Sequence, residues 1–305
     1  MTDGPPPQST RAAILVPFAL VTLIWGSTWL VIRDQLAVVP PSWSVTYRFI
    51  VAGVAMAVFA RMKGERFALD ARGWMFAGAI GLLQFCLNFN FVYRAEHYIT
   101  SGLVAVVFAI LLVPNALFAR VLLGQRMGGQ LIAGSAVAMT GIALLFVHEA
   151  RTGPTGAGAT LAGIGFTGLA ILAASMANVM QATQTARRYP MMPTLAIAML
   201  LGAALDGAIA WWLTGPPVVE ARPLYWAGIL YLGLIASALA FPLYYKVLRV
   251  IGPAKAAYSS VIVPVIAMLL STLFEGYRWS PLAGAGAALA GVGLVIALRA
   301  RRPNR

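Results

Sequence analysis

The chain has 305 residues, of which 60% are hydrophobic and only 10% charged, and its mean hydropathy is +0.83. A soluble domain is about half apolar and a quarter charged, so this composition excludes a soluble fold and makes lipid the solvent for most of the chain. The formal charge of +13 does not indicate a nucleic-acid partner, because the basic residues are spread over short loops and not gathered on one surface.

Residues 1–12 open with the polar, proline-rich MTDGPPPQST and are expected to form a disordered tail. The first apolar run is too long for a signal-peptide core and lacks a small-x-small cleavage site, so it is expected to remain as a helix. A spanning helix needs roughly 20 mostly apolar residues. Such runs are Ala13 to Ile32, Ser44 to Ala60, Trp74 to Tyr93, Ser101 to Leu123 and Gly129 to Val147 in a first half, residues 13–150. Leu161 to Gln184, Met192 to Leu213, Leu224 to Tyr245, Ala254 to Phe274 and Pro281 to Leu298 follow in a second half, residues 151–298. Residues 299–305 form a basic C-terminal tail. Continuous rather than alternating apolar runs exclude barrel strands, which leaves an all-α membrane protein of ten transmembrane helices.

If the N-terminus is cytoplasmic, that side carries sixteen Lys and Arg residues, among them Arg61, Lys63, Arg66 and Arg72, and the outer loops carry five. Short basic loops stay in the cytoplasm, so both termini are expected there, in a bacterial inner membrane. At an offset of 150, Gly102 falls over Gly252, Pro114 over Pro264, Gly134 over Gly284, Gly141 over Gly291 and Gln125 over Glu275. Each half has five helices, an odd number, so two such copies cross the membrane in opposite senses. Inverted repeats of this kind recur in secondary transporters, with the substrate between the halves near the midplane.

Several motifs carry a family resemblance. They are Trp25-Gly26-Ser27-Thr28-Trp29, Tyr47-Arg48-Phe49 with Ala52, and Pro114 ahead of Leu123-Gly124-Gln125-Arg126, matched in the second half by Gly252, Pro264 and Phe274-Glu275-Gly276. In order and spacing they resemble the EamA branch of the drug/metabolite transporter superfamily, and within it the YddG-type amino-acid exporters. The resemblance implies ten helices, export of small metabolites by alternating access, and helices 5 and 10 as a support or dimer contact away from the pathway. Gln125 stands where the family usually has Glu, which puts an acidic role there in doubt.

Helices 5 and 10 hold small residues, Gly134, Ser135, Ala138 and Gly141 in one and Gly284, Gly286, Gly291 and Gly293 in the other, a pattern for close helix packing. Pro17, Pro114, Pro242 and Pro264 lie inside helices and bend them. The pair Pro114 and Pro264 reads as a hinge or as two fixed bends. Interior polar residues are costly in lipid and are the candidates for a cavity lining. Gln84 and Asn88 form one stripe and Ser175, Asn178 and Gln181 another; Trp25, Thr28, Asn115, Ser237, Tyr244, Tyr258 and Ser259 join them. The alternative for each is glue between helices.

Asp206 is the only acid well inside a span and Arg48 the only base. Both fit a structural ion pair or snorkelling, with proton coupling through Asp206 as the sharper reading. Glu275 ends helix 9 beside Arg278, as a gate or loop brace. No nucleophile with a base, no metal-ligand cluster and no phosphate loop is present, so neither enzyme chemistry, a metal nor a cofactor is expected. Helix 1 has no acid for a cationic drug, and Lys246, Arg249 and Lys255 cluster at helix ends rather than along the pathway. Amides, hydroxyls and rings suit a neutral or zwitterionic solute, most of all amino acids with aromatic or large apolar side chains. The other cargo readings are a drug, a nucleoside or a sugar-type metabolite; from another class, a membrane enzyme or receptor. Expected partners are that solute and lipid, and the residues fix no oligomeric state and are compatible with a monomer.

Overall fold

A computed structural model describes residues 8–124, 128–152, 156–251, 256 and 259–298. Among them every regular element is helical, and eight helices are long and apolar enough to cross a membrane. In chain order we label α1 Gln8–Gln35, α2 Pro41–Met62, α3 Ala71–Glu96, α4 Ser101–Leu123, α5 Gly129–Thr152, α6 Gly156–Gln181, α7 Met191–Thr214 and α8 Pro223–Val250. Two shorter helices close the chain, α9 Ser259–Phe274 and α10 Pro281–Leu298. Tyr258, Gln125, Arg126, Gly252, Lys255, residues 1–7 and the basic tail lie outside the described residues.

Helix ends follow local chemistry. α1 begins at Gln8, five residues before the expected start. α2 begins at Pro41, where a missing N–H costs nothing because the first amides of a helix have no internal partner. Asp70 caps α3 by accepting from the Gly73 amide at 2.8 Å. Gly124 and Gly215, at φ of 67° and 83°, end α4 and α7 in a conformation that a side chain resists. α6 stops at Gln181 and not at Gln184, because Thr183 caps a separate five-residue helix, Gln184–Arg188.

The helices crossing the centre are not uniformly α-helical. π-helical stretches occupy Gly81–Asn88 in α3 and Tyr231–Leu239 in α8, starting 150 residues apart, at the offset that relates the two halves of the sequence. A short 3-10 turn, Ala109–Leu111, precedes Pro114 in α4. Pro114 has no N–H to offer the carbonyl four residues back. At this bend Ser175 of α6 donates to the Leu111 carbonyl at 3.4 Å.

α5 and α10 pack backbone against backbone. A Cβ on Gly286 would lie 2.7 Å from the Gly141 carbonyl, and one on Gly293 would lie 2.6 Å from the Gly134 carbonyl. These two pairs, Gly134 with Gly293 and Gly141 with Gly286, bring the helix axes together. Gly284 and Gly291, expected to share this role, face open space instead. α3 and α7 also meet closely, with a Cβ on Gly81 placed 2.6 Å from the Ala198 carbonyl.

Polar latches tie the loops at both ends of the bundle. At one end Arg222 bonds Asp34 at 3.2 Å and Glu220 at 3.5 Å. Arg33 lies 3.9 Å from Glu275 and also donates to the Glu96 carbonyl. At the other end Tyr189 donates to Asp70 at 2.5 Å and Arg188 pairs with the same carboxylate at 3.3 Å. The Tyr189 hydroxyl, the Gly73 amide and the Arg188 charge hold Asp70 below the usual carboxylate range.

The α5–α10 contact makes a clean test. Gly293→Ala forces a methyl into backbone and should destabilise by about 1–3 kcal/mol, whereas Gly291→Ala, two residues away in open space, should be neutral. Thermal unfolding of the detergent-extracted variants measures both, and equal melting points would refute the packing account.

Candidate functional site

The bent and π-helical segments converge on a cavity of about 110 Å³. One enclosed water needs roughly 10–15 Å³ by the same measure, so the space suits a solute of about ten heavy atoms. Among the described residues its walls come from α1, α2, α3, α4, α6, α8 and α9, and α5, α7 and α10 contribute nothing.

The site grows out of the irregular helices. In α3 the π turn carries Gln84 and Asn88, both buried, into the lining. In α8 it brings the Ala236 carbonyl to the Trp25 Nε1–H of α1 at 3.1 Å. The Trp25 ring then packs on Tyr244 and Phe241, at centroid distances of 4.8 and 5.3 Å. On the opposite side Trp29 meets Phe108 at 5.6 Å, giving aromatic surfaces worth about 0.5–1.5 kcal/mol each beyond area burial. Thr28 turns its hydroxyl back to the Trp25 carbonyl at 2.8 Å, while the Tyr245 hydroxyl donates to Gln84 Oε1 at 3.4 Å.

Of the residues singled out in the sequence, Trp25, Thr28, Gln84, Asn88, Asn178, Tyr244 and Pro264 meet at this cavity. Five others lie elsewhere. Ser175 bonds the α4 backbone, and Gln181 Oε1 accepts from Arg249 at 2.8 Å. Asn115 and Pro114 are buried in α4 outside the lining. Ser259 begins α9, and Tyr258 is outside the described residues. Ser237 is buried in the π turn of α8 and its hydroxyl donates to the Leu232 carbonyl, five residues back, at 2.7 Å.

Three charged residues depart from expectation. Arg48 and Asp206 form no ion pair with each other. Asp206 Oδ1 accepts from Asn90, whose Oδ1 in turn accepts from Ser42 at 2.5 Å, and Asp206 does not line the cavity. Glu275 is braced by Arg33 and by the hydroxyls of Ser101, at 2.7 Å, and Ser271, and not by Arg278. Arg48 does not snorkel: it is 1% exposed and forms part of the cavity wall. A base in a span costs about 3 kcal/mol even on permissive insertion scales, so its interior placement is a functional signal. Glu96 escapes a reading of the sequence because it falls three residues beyond the apolar run, yet it is fully buried at the end of α3.

Comparison with known proteins agrees with this architecture. The model of the EamA-like transporter family matches the chain twice, over residues 12–147 and 161–299. Protein PagO of Salmonella typhimurium is 24% identical over 273 residues, 88% of each chain. The uncharacterized inner membrane transporter YedA of Escherichia coli K12 is 29% identical over 264 residues, 85% of this chain and 81% of its own. A protein crystal structure at 21% identity superposes with a TM-score of 0.67 over 94% of this chain and 96% of its own, which shows a shared fold. The chain therefore belongs to the EamA-like transporter family of the drug/metabolite transporter superfamily, as a multi-pass transporter of the bacterial inner membrane and not an enzyme.

Proposed function

We propose that this transporter exports amino acids with aromatic or large apolar side chains by alternating access, through ten helices arranged as two inverted five-helix repeats with both termini in the cytoplasm. The observation that carries the reading is the central cavity, small, walled by rings and furnished with amides from both halves. An amide offers both a donor pair and an acceptor, so Gln84, Asn88 and Asn178 can serve either end of a zwitterion. Trp25 and Tyr244 give the side chain an apolar wall and the ammonium a cation–π face. A volume of about 110 Å³ favours a single amino acid over a nucleotide sugar.

Alternating access requires two arrangements of the same helices. Pro114, at the bend of α4, and Pro264, in the cavity wall, are the hinges of this proposal. Glu275, tied to α1 through Arg33 and to α4 through Ser101, is the gate on the outer side. Asp206 takes part by fixing α7 to α3 through Asn90 and not by carrying protons, because it stands outside the cavity wall.

Three outcomes test this reading. Purified protein in liposomes should move labelled phenylalanine or leucine but not a sugar, a nucleoside or a lipophilic cation, and Asn88→Ala and Asn178→Ala should each lower that flux by about 3- to 10-fold. Flux of the nucleoside or cation alone would refute the cargo. Asp206→Asn keeps the acceptor that Asn90 uses, so flux and protein abundance should match wild type; loss of flux with abundance unchanged would reassign Asp206 to coupling. In a Cys86→Ala background, Ala157→Cys should react with an impermeant thiol reagent on intact cells and Lys63→Cys only after permeabilisation. Equal labelling would remove the inverted arrangement.

A further inference from the structure

Among the described residues the cavity wall contains one fixed charge, Arg48, and no wall residue neutralises it. Arg48 is 1% exposed, and its Nε donates to Ser237 Oγ at 3.0 Å. Its guanidinium lies 4.2 Å from the centroid of the Phe89 ring and 5.3 Å from that of Phe49. These contacts occupy one edge and the face of the group. Nη1 is buried without a hydrogen-bond partner, and among the described residues no carboxylate lies within ion-pair distance of Arg48. The Tyr93 hydroxyl is a further polar partner of the guanidinium, the buried Glu96 and the Tyr231 hydroxyl also act on it, and none of the three lines the cavity.

A second donor in the wall is also unpartnered: Trp29 Nε1, buried in α1. The unpartnered acceptor of the wall is Asn88 Oδ1. Among the described residues no Asp or Glu is present in the lining to receive an ammonium group. The wall therefore offers an anion one permanent positive charge and a spare indole N–H, and offers a cation only a neutral oxygen and ring faces. A guanidinium is planar, always charged at physiological pH and matched in shape to a carboxylate.

We propose that Arg48 is the carboxylate-recognition group of this cavity, so the cargo class is a carboxylate on a compact aromatic or apolar body, with the ammonium of an amino acid dispensable. The proposal deepens the amino-acid reading and rests on the same cavity. Carboxylates lacking an amine belong to the class, and amines lacking a carboxylate are turned away by like charge. The α8 π turn is what places Arg48, since Ser237 holds the guanidinium while donating to a carbonyl five residues back.

The test uses the full-length protein in liposomes and three probes of matched size: phenylalanine, 3-phenylpropanoate and phenethylamine. In wild type, 3-phenylpropanoate should compete with phenylalanine flux at similar concentrations, and phenethylamine at least about tenfold more weakly, as expected for loss of a charge-assisted hydrogen bond. Arg48→Gln should erase the ratio between the two competitors, and Arg48→Lys should retain part of it, a pattern that a merely structural arginine does not produce. If Arg48→Gln does not fold, the wild-type competitor ratio still decides. Competition by phenethylamine equal to that of 3-phenylpropanoate, or a wild-type ratio kept in Arg48→Gln, would overturn the proposal while leaving amino-acid transport standing. Movement of 3-phenylpropanoate without phenylalanine, lost in Arg48→Gln, would uphold the proposal and end the amino-acid reading. If no probe moves or competes, both fall.

Discussion

A chain in lipid has no water to satisfy its backbone, so every N–H and C=O that a helix fails to pair must find a partner in the protein or at a wet cavity. In this transporter that constraint locates the site. α3 and α8 break regular pairing with π turns, and α4 breaks it at Pro114. Carbonyls in these segments receive side-chain donors, Ala236 from Trp25, Leu232 from Ser237 and Leu111 from Ser175. The partners of irregular backbone are thus the residues that bound or support the cavity.

The same constraint separates scaffold from pathway. α5 and α10 approach so closely that their glycines meet carbonyls, and they have no irregular turn and no share of the lining. α7, packed along α2 and α3, likewise stays out of the wall although it carries the buried Asp206. A cavity needs walls that can part, and the π turns and the mid-helix prolines all lie in helices around it. In the proposed alternating-access cycle the close-packed pair stays still while they move.

Much of this was legible in the residues because the bilayer imposes length and hydropathy on each span. The apolar runs placed the cores of the eight long helices but not the short helix Gln184–Arg188, and small residues at Gly134, Gly141, Gly286 and Gly293 marked the α5–α10 contact. Offsets of 150 located Pro114 over Pro264, but nothing in hydropathy marks a π turn, since one extra residue per turn leaves the composition unchanged. The stripe Ser175, Asn178, Gln181 reads as uniform at spacings of three, yet only Asn178 reaches the cavity. Its neighbours bond the α4 backbone and Arg249. Helical periodicity identifies a face; it does not tell which neighbour that face meets.

Arg48 shows where such reading runs out. A lone base in a span pairs with the lone acid when the chain is read as a string, and Asp206 is the obvious partner. In three dimensions Asp206 belongs to an amide and hydroxyl network with Asn90 and Ser42, while Arg48 is held by Ser237 and by the faces of Phe49 and Phe89. Aromatic faces stabilise a guanidinium without neutralising it. Tyr93 and the buried Glu96 offset part of that charge from behind the wall, and in the proposed cycle a passing carboxylate would meet the rest from the cavity side.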